Sequence, residues 1–206
     1  EVFRAKTFGE AGFEKVLVIK RILERYSQDP EFVEMFIQEA KLSAQLSHPN
    51  IVQVFDFGKQ GDHYFIAMEL VDGKDLKGLL RRLAQSGERM PVRTAAYLAY
   101  ELAKGLAYAH SRTDSAGMPL NLVHRDVSPS NVLLAYDGQV KIVDFGIAEV
   151  ESGRGQPSES AVLKGKYSYM SPEQTEAREL DARSDLFSAG ICLWEMLTGH
   201  RLFKAD

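Results

Sequence analysis

The sequence predicts an α+β chain in two lobes: a small β-rich lobe built round one helix, then a larger helical lobe with a hairpin at its edge. Three observations carry this reading. Short β-branched or aromatic runs fill the first third of the chain. After residue 71 the apolar period lengthens to that of helices. One pair of strandlike runs, split by Tyr136-Asp137-Gly138, interrupts those helices. A crevice between two such lobes is the default place for a ligand.

The elements follow in order. Val2 to Ala5, Val16 to Ile19, Ile51 to Phe57 and Tyr64 to Leu70 read as strands. Between the second and third lies a helix: Asp29 and Pro30 form an N-cap and first-turn pair, and Phe32/Val33, Phe36/Ile37, Ala40 and Ala44 recur at helical spacing as far as Leu46. His48, Pro49 and Asn50 end it. Leu76, Leu79, Leu80 and Leu83 mark a second helix, and Val92, Ala95, Ala99, Leu102, Leu106 and Ala109, begun by Pro91, a third. Val132 to Leu134 and Val140 to Val143 form the hairpin, with Gly138 available for positive φ. A polar stretch from Glu151 to Ser160 has no periodicity, and long loops of that kind inside a compact domain tend to be functional or disordered. The last helix runs from about Ala182 to Leu197 and stops at Gly199.

Composition excludes several classes of function. The 206 residues carry 25 Lys+Arg against 29 Asp+Glu, a net charge of −4, so no global field attracts nucleic acid or an anionic membrane. The longest strongly apolar run, Leu186 to Trp194, contains Ser188 and Gly190 and is far shorter than the ~20 residues a spanning helix needs. No membrane contact is expected from this segment. Cys192 is the single cysteine, so an intrachain disulfide is excluded and the residue reads as a buried small hydrophobe. The chain begins at Glu1 without a leader pattern and is expected to be an internal, cytoplasmic piece, with any membrane anchor lying elsewhere in the protein.

The residues that carry chemistry cluster around the hairpin. In His124-Arg125-Asp126-Val127-Ser128-Pro129-Ser130-Asn131, an Asp and an Asn stand just ahead of the first hairpin strand, and Asp144-Phe145-Gly146 follows the second. One hairpin therefore returns Asn131 and Asp144 to the same end, as two oxygen ligands for a hard cation with Asp126 nearby. Together these motifs resemble the eukaryotic-like protein kinase family, in its bacterial Ser/Thr form. The resemblance covers essentially the whole chain. It implies a bilobal kinase fold, with residues 1–70 as an N-lobe lacking its first strand and most of its Gly-rich loop. Residues 71–206 would be a C-lobe lacking its final helices.

The resemblance also implies roles. Lys20, in Leu17-Val18-Ile19-Lys20, would neutralise the α and β phosphates of ATP, and Glu39 on the first helix would hold that lysine. Asp126 would accept or orient the substrate hydroxyl proton, while Asn131 and Asp144 would hold Mg²⁺ on the phosphates. Such a division suits phosphoryl transfer, which is chiefly in-line positioning plus neutralisation of oxygen charge. Met68 would stand as gatekeeper, with backbone groups of Glu69 and Val71 facing adenine, Asp75 reaching the ribose, and Val2, Val18 and Leu133 sandwiching the ring. The span from Asp144 to Glu173 resembles an activation segment, with Ser158 and Ser160 as phosphorylation candidates and Arg125 as partner for such a phosphate. Asp185 resembles the acid that caps catalytic-loop amides. Singly, each residue has a plain alternative, a solvated lysine, a wet helical Glu or a core hydrophobe; the set in this order points to the family.

Two departures stand out. Where Ser/Thr kinases usually carry Lys two residues after the catalytic Asp this chain has Ser128, and where they carry Thr in the substrate-facing segment it has Lys166. Lys166 is therefore expected to supply the missing charge from the activation segment, tying catalysis to the ordering of that segment. The helix whose Arg normally pairs with Glu173 would fall beyond Asp206, so Glu173 is expected to be a buried carboxylate without its partner. This truncated piece is accordingly expected to be inactive and marginally stable. The function that follows is transfer of the γ-phosphate of ATP to Ser or Thr hydroxyls of a protein substrate, and a homodimer is the arrangement expected for autophosphorylation of the activation segment. The competing readings are a pseudokinase serving as a nucleotide-binding or scaffold module, favoured by Ser128, and a small-molecule phosphotransferase, disfavoured by the full activation segment.

Overall fold

The computed structural model describes residues 1–145 and 167–203. Four strands form the first sheet: β1 (Val2–Phe8), β2 (Glu14–Arg21), β3 (Val54–Gln60) and β4 (His63–Glu69), in the antiparallel order β1-β2-β4-β3. Helix α1 (Pro30–Ser43) packs on it. Asp29 caps the helix by accepting hydrogen bonds from the Glu31 and Phe32 amides at 3.0 and 3.3 Å, and Pro30 supplies the preset first turn. Ile22, Phe36, Ala40, Val54 and Ile66 form this lobe's own core.

The second lobe opens with a short strand, β5 (Gly73–Asp75), followed by α2 (Leu76–Ser86) and α3 (Val92–His110). Strands β6 (Val132–Ala135) and β7 (Val140–Ile142) pair with β5 in the order β5-β6-β7. A one-turn helix α4 (Pro172–Thr175) and the long α5 (Ala182–Thr198) complete the described elements. Gly199 ends α5 at φ 71°, a left-handed cap that glycine adopts without a Cβ penalty. A larger core runs through α2, α3, the hairpin and α5, from Leu76, Leu98, Leu102 and Leu106 to Val132, Ile142, Ile191 and Met196.

Two segments depart from the sequence-based expectation. The strand expected over Ile51 to Phe57 begins only at Val54. Ile51 instead forms a parallel bridge with Ile142, the Val52 amide donates to Ile142 O at 2.9 Å and the Ile142 amide to Asn50 O at 2.8 Å. Leu46 and Ile51 belong to the larger core, so residues 46–52 are drawn onto the second lobe and only the chain beyond them joins the first sheet. Strand β5 has no strandlike composition; the hairpin edge beside it recruits three residues by backbone pairing alone, with Gly73 opposite Ala135. A Cβ on Gly73 would lie 2.0 Å from Leu134 O, so no larger residue fits this approach.

Leu106, fully buried in α3, tests the larger core: Leu106→Ala should cost about 2–5 kcal/mol, read as a lowered urea midpoint with an unchanged slope.

Candidate active site

Strand register brings several of the residues expected around the base to one face. Val2 pairs with Lys20, Lys20 with Ile66, and Val18 with Met68, and side chains two apart on a strand share a face. Val2, Val18, Lys20 and Met68 therefore line the underside of the first sheet, Val2 exposed and the others half-buried. Leu133 lies on β6 in the lobe below, opposite Lys141 of β7. Glu69 ends β4 and Val71 follows in the connection between the lobes.

Lys20 is the centre of the charged cluster. Its Nζ donates to Glu39 Oε1 at 2.7 Å and to Asp144 Oδ1 at 2.8 Å, joining strand, helix and hairpin end. Burial works against its charge, but the carboxylates of Asp144 and Glu39 outweigh that, and its pKa is raised above the ordinary lysine value of 10.5. A raised folded pKa means that the stabilisation is complete below the ordinary value and fades only as pH climbs through the raised one. The cluster is thus insensitive to pH near neutrality through Lys20.

The segment that begins at His124 is held by one buried acid. Asp185, 1% exposed near the start of α5, accepts from the His124 amide at 2.7 Å, the Arg125 amide at 2.8 Å and His110 Nε2 at 2.7 Å. His124 Nδ1 accepts from the Asp126 amide at 3.2 Å, so its proton sits on Nε2 and goes to Val143 O at 3.0 Å. Asn131 Nδ2 donates to Asp126 O at 2.8 Å and Asp126 Oδ2 at 2.7 Å, fixing that carboxylate. Asn131 and Asp144 could offer oxygens to a hard cation, and the Val143 amide donates to Asn131 O at 3.0 Å, tying the two stretches of backbone together. Arg125 and Asp144 both hold positive φ, 68° and 56°, a conformation that costs non-glycine residues and concentrates at functional sites.

Asp75, Glu173 and Ser128 have partners that the sequence did not announce. The Asp75 carboxylate caps α2, accepting from the Gly78 amide at 2.6 Å, so its first duty is to the helix. Glu173 is half-buried rather than buried, and it is not without a partner. Ser184 Oγ donates to it at 2.5 Å, and that bond holds its pKa low. Ser128 is buried, with its Oγ 2.9 Å from Ser130 Oγ. Lys166, Ser158 and Ser160 lie outside the described residues.

Residues that sequence reasoning passed over include His110, Gln174, Tyr169 and Lys141. Gln174 Nε2 donates to Arg125 O at 2.7 Å, and Tyr169 OH donates to Glu195 at 2.5 Å. Burial, followed by that bond to Glu195, pushes the Tyr169 phenol well above its ordinary pKa. Lys141 could have been found: a lysine between Val140 and Ile142 in a strand buried on both sides demands an anion.

Lys20 thus ties a strand, a helix and the hairpin end together, with Asp126 and Asn131 bonded to one another nearby, in a bilobal fold. The sequence matches the family model described as "Protein kinase domain" over residues 4–206, and the chain belongs to the protein kinase family. Over 206 residues it is 46% identical to a Myxococcus xanthus protein named tyrosine-protein kinase MasK, covering all of this chain and 32% of MasK. It is 37% identical over 193 residues to the Mycobacterium tuberculosis serine/threonine-protein kinase PknL, covering 94% of this chain and 45% of PknL. The crystal structure of the M. tuberculosis PknI kinase domain superposes with TM-score 0.70 at 28% identity, over 95% of this chain and 67% of that one. The chain thus spans less than half the length of the two curated relatives.

Replacing the anchoring acid should be costly. Asp185→Ala leaves three donors without an acceptor, at about 1–3 kcal/mol for each one that stays buried. The expected readings are a lowered denaturation midpoint and lost hydrogen-exchange protection at the His124 and Arg125 amides.

Proposed function

We propose that this chain is the catalytic core of an ATP-dependent protein kinase acting on Ser and Thr hydroxyls. The observation that carries the reading is Lys20 bonded at once to Glu39 and Asp144. A lysine drawn to two carboxylates from separate elements, with Asp126 and Asn131 locked together nearby, is an arrangement for gripping phosphate and aiming a hydroxyl. In this reading Lys20 meets the α and β phosphates, and Val18, Met68 and Leu133 enclose the adenine. Asn131 and Asp144 hold Mg²⁺, which when bound neutralises phosphate oxygens. Asp126 orients the acceptor hydroxyl and takes its proton.

Lys166 is proposed to supply the charge that Ser128 lacks. The buried Ser128, bonded to Ser130, leaves no ammonium on the catalytic loop, which motivates this assignment. Arg125, whose Nε is buried without a partner among the described residues, is the proposed receiver for a phosphate on Ser158 or Ser160.

The same Ser128 favours a second reading, a pseudokinase that binds nucleotide without transfer. Acceptor choice is a further point of the proposal, since one relative is named a tyrosine kinase and another a serine/threonine kinase.

Radiolabelled ATP and Mg²⁺ with the natural full-length protein, offered peptides bearing Ser, Thr or Tyr, tests all three points. Label on Ser and Thr that falls about a hundredfold or more in Asp126→Asn and in Lys166→Ala is the expected result. Nucleotide binding with no transfer would establish the pseudokinase, and label confined to Tyr would overturn the acceptor assignment.

A further inference from the structure

Lys141 is the middle residue of β7, between the buried Val140 and Ile142, and its own side chain is 9% exposed. A buried ammonium persists only against an anion with good geometry. Its partner is Glu69, 72 positions earlier in the other lobe, with Nζ 2.9 Å from Oε1 and 3.0 Å from Oε2. Contact with both oxygens fixes the orientation of the carboxylate, and the Gln53 amide donates to the same group at 3.2 Å.

Glu69 is also where β4 ends and the connection between lobes begins. Its backbone N–H is already given to Gln53 O at 2.9 Å. A ligand can therefore meet the Glu69 backbone only at its carbonyl, an acceptor. The donor that adenine presents on its six-membered edge is the exocyclic 6-amino group. Lys141 lies directly opposite Leu133 across the hairpin, so its stem runs beside the residue proposed to face the base.

We infer that Glu69 and Lys141 are positioning residues for the purine: their ion pair spans the lobes and holds the Glu69 carbonyl where it accepts from the 6-amino group of ATP. This rests on the proposed ATP site. A carbonyl at a strand end, released from its side chain's anchor, would swing relative to Leu133, and a hydrogen bond weakens steeply with misalignment. The pair therefore acts on base selectivity rather than on the phosphates, which Lys20 and Asp144 serve from the far end of the crevice.

The test measures dissociation constants by calorimetry for ATP and for purine riboside triphosphate, which lacks only the 6-amino group, in the natural full-length protein. The unaltered protein should prefer ATP by about tenfold, the worth of one well-aligned neutral hydrogen bond. Lys141→Met should abolish that preference by weakening ATP alone, and Lys141→Arg, which keeps a cation on Glu69, should restore most of it. Lys141→Met strands a carboxylate, so the double variant Glu69→Gln/Lys141→Met, with no unpaired charge, serves as the second measurement and should show the same loss. An ATP preference retained in the folded variants, or both ligands weakened equally, would overturn the inference while leaving the ATP site standing. Binding of neither nucleotide to the unaltered protein would overturn the ATP site itself and the inference with it.

Discussion

The site depends on one buried carboxylate. Asp185, 1% exposed, accepts from the backbone amides of His124 and Arg125 and from His110. Those bonds hold Arg125 at positive φ and seat His124, whose ring then reaches Val143 O and so fixes the residue before Asp144. Asp144 in turn meets Lys20, and Lys20 meets Glu39. A chain of hydrogen bonds and ion pairs thus runs from α5 through residues 124–125 and 143–144 to Lys20 and α1.

The lobes have separate cores, and the nature of the contacts between them matters. Residues 46–52 belong in sequence to the first lobe but pack with the second, and Asn50 hydrogen-bonds Glu101 of α3 at 2.7 Å and Val140 O at 2.9 Å. Gly105 lets α3 approach this crossing: a Cβ there would lie 2.7 Å from Ile142 Cδ1 and 3.1 Å from Asn50 O. The Glu69–Lys141 pair makes a second crossing at β7, next to the first, since the Gln53 amide, one residue after Val52, donates to the same Glu69 carboxylate. Together the two crossings tie β7, which leads into Asp144, to the sheet that carries Lys20. Backbone strain at Arg125 and Asp144 is sustained because these neighbours over-determine both residues.

Much of the fold was legible in the residues. Asp29-Pro30 marked the start of α1, Gly199 the end of α5, and Tyr136-Asp137-Gly138 the hairpin, because caps and turns are local chemistry in which a side chain meets its own backbone a few positions away. Lys20 and Glu39, 19 positions apart, could be matched only through the family resemblance, since each alone reads as a solvated side chain. Asp144 was recognisable by motif, and its union with Lys20 spans 124 positions.

What the sequence by itself determined was the identity and type of most elements, and the set of acids, amide and lysine that converge on the crevice. Only tertiary structure decided that residues 50–52 pair with β7, that Asp75 caps α2, that Glu173 finds Ser184, and that Lys141 answers Glu69. The physical reason is range. Periodicity and capping report how a segment relates to its own burial and backbone, whereas the choice of partner for a buried polar group depends on which distant segment packing brings within about 3 Å, a distance at which hydrogen bonds form and which no local pattern encodes.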